Sequence, residues 1–516
     1  MGAPHCCGRK TLKKIVWAPW YPFLLAAYPV LALLSHNITQ VKYPAALRPL
    51  LLSFLAVALL FLVFQLLYRS AHRAAFVVAA GTLLFFSYGQ IYDAISAKRK
   101  IPHFTFWILA VWLSLAVLIL VLAALRRLHF EGLALALNIV SLGLLVYVLI
   151  PVVNWSFIKT HPVAAKVTQS KQVLDPSAGQ QLPDIYYIVP EDYGRVDLLK
   201  PWAQIDTSQF AQFLKDSGFY IAVCSQSNYV TTGLSLSSSF DMDYLQDLGP
   251  GFAATNESQD PIYTAIRYNP VEADLKAIGY KTVAFATGYS WSELDNSDVY
   301  ITLSPFWSGL ASFENLLLRT TPIRHLEDLG VLSLFSIDGD RYRERTQLVY
   351  DSVPMLASMP GPKFVFMHII NPHQPFVFGP DGIPIDPSSF LNKQGLYTEA
   401  TYKEGFRDQV PFTDMMLEKT VTTLISKSTR PLVIVLQTDT GPWFTTGADS
   451  FKILNAYYMP GHTDQLYQTI SPVNTFRVIL NSYFGAKLPL FDDQSYFSSV
   501  PHIYSFTPVP NGCAKN

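Results

Sequence analysis

The chain predicts a multi-pass α-helical membrane anchor followed by an α/β domain with a mainly parallel sheet sandwiched by helices. Three observations predict it. Half of the 516 residues are apolar and only 15% are charged, an imbalance that signals membrane spans rather than a merely large core. Five apolar runs precede residue 155, each close to the roughly 20 residues that cross a bilayer. Beyond residue 183, strand-like apolar runs alternate with helical patterns, which implies parallel strands covered on both faces.

The apolar runs span 15–35, 50–68, 74–92, 104–125 and 133–153, so residues 1–153 read as a five-helix transmembrane anchor. Pro22 and Pro29 interrupt the first, which neighbouring helices tolerate in a bilayer. No A-x-A-like cleavage site follows that run, so it stays as an anchor. With a cytosolic N-terminus, Arg9, Lys10, Lys13, Lys14, Arg69, Arg73, Arg126 and Arg127 flank the spans inside. Lys42, Arg48, Lys98, Arg99 and Lys100 face the other side. This bias makes the chain a multi-pass protein of the cell membrane with its C-terminal domain extracytoplasmic, although the basic loop Lys98, Arg99, Lys100 argues the other way. The lipid bilayer is therefore the first expected partner. A net charge of zero gives no electrostatic reason to expect nucleic acid. The spans carry little charge, with Asp93 at an edge, which disfavours an ion or substrate pathway through them. Cys6, Cys7, Cys224 and Cys513 show no metal-finger spacing. A Cys224–Cys513 bridge is open to the chain outside the cytosol, but the spacing carries no geometry.

Residues 154–183 read as a polar linker, and 184–516 as the α/β domain. Ile185–Pro190, Tyr280–Ala286, Lys363–Ile370 and Pro431–Gln437 are predicted buried strands. Ser208–Tyr220 is predicted helical, with Phe210, Phe213 and Leu214 on one face and Gly218 as its stop. Glu404–Lys427 is predicted as a long helix that Pro411 should kink or restart.

The candidate chemistry lies at the strand ends. Glu191 and Asp192 follow the first strand, and Asp439 follows the last, with Thr440-Gly441-Pro442 ending it abruptly. Ligands of open α/β sheets collect beyond the carboxyl ends of strands, and carboxylates converging there make a cation site. The plainer reading of such a pair is a solvated loop with a capping carboxylate. Thr231 and Thr232 open a Leu/Ser-rich helical run, where a hydroxyl is commonly an N-cap. The functional reading is a nucleophile whose pKa the helix N-terminus and a metal lower. His368 lies within the Lys363–Ile370 run and His373 follows it. A histidine beside a strand is more often a satisfied core residue, whereas the Pro-flanked His373 is better placed to donate to a substrate oxyanion.

In their order, PDIYYIVPEDYGR, SQFAQFLKDSGFY, SNYVTTGLSLSSS, FVFMHIINPHQPF and LQTDTGP resemble the membrane-anchored branch of the sulfatase-like, alkaline-phosphatase superfamily. Lipoteichoic acid synthases and phosphoethanolamine transferases belong to that branch. The resemblance covers residues 183–505, and the five-helix anchor matches the branch's layout. It implies an alkaline-phosphatase-like fold, Thr232 as nucleophile and His373 at the transferred group. It also implies one divalent metal held by Glu191, Thr232, Asp439 and the residue at Thr440, with Asp192 beside them. The chain departs at Thr440, where the family's Asp-His-Gly-Pro carries histidine, and at Glu191-Asp192, where most relatives carry Asp and a small residue. A neutral Thr hydroxyl is a poor zinc ligand, so this all-oxygen set suits Mn or Mg better than Zn, with weak or absent binding as the limit. His462, in a Pro-Gly loop, is the nearest source of the missing nitrogen.

Two functions stay open. One is a membrane-anchored hydrolase or transferase acting on phosphate, less readily sulfate, esters of lipid- or polymer-linked envelope substrates. The alternative is a catalytically degenerate binding or scaffold ectodomain whose metal site is broken by Thr440. A formylglycine sulfatase needs Cys or Ser in C/S-x-P-x-R, and the near match Thr320-Thr321-Pro322-Ile323-Arg324 begins with Thr. Trp291, Trp307, Arg319 and Arg324 are the loop residues expected to set specificity.

Overall fold

A computed structural model describes residues 17–38, 41, 43–96, 104–125, 130–155, 174–175, 181–289, 292–304, 312–328, 334–392, 395–511 and 513. Trp291, Trp307, Lys98, Arg99, Lys100 and most of the 154–183 linker lie outside the described residues. The chain divides into two compact units, Met1–Val163 with Ser304–Asp338 and Ala164–Leu303 with Gly339–Asn516. The sequence places one boundary at the linker; by its contacts the 304–338 segment groups with the N-terminal helices instead.

The first unit contains α1 (Tyr21–His36), α2 (Leu47–Tyr68), α3 (Ala71–Ser96), α4 (Phe104–Ala124) and α5 (Glu131–Val153). Among the described residues, four stretches are long and apolar enough to cross a membrane: Tyr43–Tyr68, Ala71–Ser96, Phe104–Ala124 and Gly132–Val153. α1 has 16 described residues. At 1.5 Å per residue that is about 24 Å, short of a hydrocarbon core of roughly 30 Å. α2 exposes Leu51, Leu55, Leu59, Leu62 and Leu66, a surface that is costly in water and not in lipid. The inserted segment packs on α3. There the Tyr88 hydroxyl meets the His325 ring, and Arg324 pairs with Asp93 at 3.0 Å while lying 4.4 Å from the Tyr92 ring centre. Gly89 permits this approach, since a Cβ there would collide with the Arg319 carbonyl. Arg319 and Arg324 thus belong to this helical unit.

The second unit is built on strands β1 (Asp184–Glu191), β2 (Tyr220–Ile221), β3 (Lys281–Phe285), β4 (Val299–Ile301), β5 (Lys363–Pro372), β6 (Leu432–Gln437) and β7 (Asn455–Tyr458). Their order is β2-β7-β6-β1-β5-β3-β4. β6, β1, β5, β3 and β4 run parallel, and β7 is antiparallel to β6 and β2. Its helices include α6 (Thr232–Asp241), α7 (Leu334–Asp351, from Gly339 on), α8 (Glu399–Lys427) and α9 (Pro472–Phe484). The expected Ser208–Tyr220 helix ends at Asp216, and Tyr220 joins β2. α8 begins at Glu399 rather than Glu404, where Thr398 and Thr401 form a capping box. It runs on through Pro411, because Pro411 and the Arg407 carbonyl it leaves unpaired both lie on exposed positions where water can serve.

Every residue of β1, β5 and β6 is buried, as a parallel sheet covered on both faces requires. Side-chain alternation sorts them into two cores. Ile185, Tyr187, Val189, Phe364, Phe366, Val433 and Val435 pack on one face with Leu236, Phe240 and Phe476 from α6 and α9. Tyr186, Ile188, Val365, Met367, Ile434 and Leu436 pack on the other with Tyr402, Phe406 and Val410 of α8. That alternation decides which face each strand-end residue reaches.

Candidate active site

Following the parity past the carboxyl ends, Glu191, His368 and Asp439 continue the series that faces α6. β1 and β5 pair in register with Val189 opposite His368, and an irregularity then sets Glu191 opposite Pro372. The three residues are buried, and one ligand atom from each lies within 4.8 Å of the others, an arrangement placed to hold a metal ion. Thr232 is the first residue of α6. The N-cap position belongs to Thr231, which makes no side-chain cap bond. The Thr232 hydroxyl instead donates to Glu191 Oε1 at 3.2 Å. Glu191, Thr232 and Asp439 therefore lie together.

The opposite parity builds a second group. Asp192 takes a left-handed backbone (φ 61°). Its Oδ1 accepts from the Thr440 hydroxyl at 3.0 Å and its Oδ2 from the Tyr402 hydroxyl at 3.2 Å. His373 Nε2 lies 3.9 Å from Asp192 Oδ2, and its Nδ1 meets the Gln374 carbonyl at 2.5 Å. Gln409 of α8 fixes this loop by donating to the Pro372 and His373 carbonyls, both at 3.1 Å. Thr440 thus serves Asp192, while the nitrogen nearest Glu191 belongs to His368, whose Nε2 is 3.4 Å from Glu191 Oε2.

Electrostatics in this group are crowded. Burial, with the charges of Asp439 and Glu191, pushes Asp192 up to about 7 against the pull of His373 and the Thr440 hydroxyl. Burial and Glu191 push Asp439 up to about 6, against His368 and the Thr232 hydroxyl. For Glu191, burial opposes ionisation, but His373, His368 and Thr232 prevail and hold it below the usual carboxylate range. Burial would lower His373, yet Asp192 and Glu191 raise it. Glu191 Oε2 and Asp439 Oδ2 accept no hydrogen bond among the described residues.

His368 is the residue that reading by type passed over as a core histidine; its even-numbered place with Phe364 and Phe366 on β5 is the signal that assigns its face. The all-oxygen ligand set is corrected accordingly, since His368 brings an imidazole. His462 does not approach the group. Its ring centre lies 4.3 Å from that of Tyr483, the two rings tilted by 46°, in a recess with Arg430, Pro431 and Leu432 at the opposite end of β6.

No protein-family model matches the chain, and no curated protein matches it. Among solved structures it is similar to the C-terminal periplasmic domain of EcEptC from Escherichia coli (10% identity, 66% of this chain and 96% of that one, TM-score 0.42). It is also similar to the integral membrane lipooligosaccharide phosphoethanolamine transferase A of Neisseria meningitidis (14% identity, 91% and 95%, TM-score 0.39). A third is a phosphonate monoester hydrolase of Agrobacterium radiobacter (12% identity, 61% and 80%, TM-score 0.38). At these scores the likenesses bear on neither activity nor ligand.

Proposed function

We propose that the second unit is a metal-dependent phosphoester hydrolase or transferase with Thr232 as its nucleophile. The observation that carries this is the Thr232 hydroxyl, at a helix N-terminus and uncommitted to capping, donating to Glu191 beside His368 and Asp439. The residues fit a divalent cation, because two buried carboxylate oxygens there accept no hydrogen bond among the described residues and burying such charge is costly unless it is compensated. When bound, the cation supplies positive charge that offsets the carboxylates and polarises a phosphate ester. Glu191, His368 and Asp439 would hold it. An imidazole with two carboxylates suits Zn²⁺ or Mn²⁺, so the preference for Mn or Mg over Zn loses its all-oxygen basis.

The remaining roles fall to this chain's own groups. Glu191 orients the hydroxyl of Thr232, and the N-terminus of α6 favours negative charge at that oxygen. His373, raised toward its cationic form, steadies the non-bridging oxygens; Asp192, Tyr402 and Thr440 fix its surroundings. The apolar helices in the same chain support a lipid- or polymer-linked phosphate ester as substrate. The bond between Cys224 and Cys513, whose Cα atoms are 5.6 Å apart, supports an extracytoplasmic unit, since such bridges persist in oxidising compartments.

The test is metal analysis of the full-length chain in detergent, with turnover of bis(p-nitrophenyl) phosphate. Bound divalent metal, turnover, and its loss in Thr232→Ala with metal retained are expected. A metal-free, inert protein would instead favour the scaffold alternative.

A further inference from the structure

Arg345 lies on α7, within the part of that helix that belongs to the second unit. Its Nη1 donates to the Thr287 carbonyl at 2.6 Å, just beyond the carboxyl end of β3. β3 neighbours β5, so this loop stands beside the strand end that carries His368. Arg345 and His368 line one small recess of about 10 Å³, together with Tyr342, Thr287 and Ile370. Arg345 thus shares the lining of a recess with His368, one of the residues of the candidate metal centre.

Two further facts mark the position. Among the described residues no carboxylate forms an ion pair with Arg345, whereas Arg195, Arg267, Arg324 and Arg343 each have one. Its charge is felt by the hydroxyls of Tyr342 and Tyr300. Glu293, the nearby acid of the same loop, accepts from the Gly288 amide at 2.9 Å and the Tyr300 hydroxyl at 2.6 Å. Gly288 has φ +86°, and a Cβ there would collide with the Arg345 guanidinium. The loop is thus bare where the cation head lies.

We propose that Arg345 is a substrate-binding residue of this site, taking non-bridging oxygens of the phosphoryl group in the fork of its guanidinium. The anion's identity rests on the phosphoester reading above; the presence of an anion-binding guanidinium does not. The chemistry is suited to it. A planar fork with fixed donors matches two oxygens of a tetrahedral oxyanion, which a lysine ammonium does not reproduce. Beside His373 and a bound cation, a guanidinium adds positive charge that favours an anionic ester.

The experiment measures inorganic phosphate binding to the full-length, metal-supplemented chain by ³¹P NMR titration, with metal content and melting temperature in parallel. Charge-assisted hydrogen bonds of this kind are worth about tenfold or more in affinity. Arg345→Ala is expected to weaken phosphate by at least that factor with metal content unchanged. Arg345→Lys recovers it only in part, and Gly288→Ala reproduces the loss by displacing the guanidinium. Thr232→Ala abolishes turnover and leaves phosphate affinity in place. A merely structural Arg345 would lower the melting temperature of Arg345→Ala without moving phosphate affinity, and that result overturns the proposal; so does a wild-type protein that binds no phosphate. Phosphate binding that depends on Arg345 in a protein without turnover would sink the enzymatic reading and leave this one standing.

Discussion

The two ends of β1 carry buried acids that the protein treats in opposite ways. At the start, Asp184 accepts from the Lys363 ammonium and amide, with Arg430 Nε 3.6 Å away. Lys363, itself fully buried, also donates to the Met359 carbonyl at 2.9 Å. At the other end, Glu191 meets Asp192 and Asp439, and two of their oxygens accept no hydrogen bond among the described residues. One end is finished as structure. The other gathers three buried carboxylates around two histidines and leaves carboxylate oxygens without a donor among the described residues, an arrangement that a divalent cation would complete.

The largest expected effect breaks the finished end. Lys363→Met leaves Asp184 without its ammonium and should cost about 3 kcal/mol or more, read by chemical unfolding of the full-length chain. Asp439→Asn, at the open end, should leave the metal-free protein as stable as wild type or more so, because burial and the Glu191 charge already disfavour its ionised form. Next comes the cation itself. A divalent metal at about 100 times its Kd should stabilise wild type by about 2.7 kcal/mol, and Asp439→Asn should show no such shift in melting.

A pH-dependent effect sharpens the contrast with an acid that is buried but forms no ion pair among the described residues. Burial, helped by Asp298 and opposed by Lys276 and the Ser297 hydroxyl, pushes Glu272 up to about 7. The unfolded chain titrates it near 4.3, so its contribution to stability is full below about pH 4 and is lost as pH rises toward 7. Stability should fall by up to about 1.4 kcal/mol per pH unit across that window through this group, and Glu272→Gln should flatten the profile. Smallest of all, Thr440→Val removes one donor to Asp192 and should cost about 1 kcal/mol, with metal content unchanged.

Most of the α/β frame was legible because β-branched and aromatic runs of five to eight residues write buried parallel strands directly. Glu191 and Asp439 could be named because each sits where a strand ends; the helix start offered Thr231 and Thr232 alike, and the family resemblance chose Thr232. His368 was missed for a physical reason: inside an apolar run its type suggests a packed core residue, and only the pairing of β5 with β1 shows that it shares a face with Glu191. The nitrogen that lies beside Glu191 comes from β5 rather than from position 440 or His462. The Cys224–Cys513 bond and the docking of His325 on Tyr88 join residues hundreds of positions apart, which no local pattern encodes. Pro411 misled because its helix is solvated just where the proline removes a bond.

Isothermal titration of the full-length, chelator-treated chain with Zn²⁺ or Mn²⁺ tests the central claim most directly. One ion per chain should bind, and Glu191→Gln, His368→Ala and Asp439→Asn should each abolish or greatly weaken it. No saturable binding, or binding that all three variants leave intact, would contradict the account.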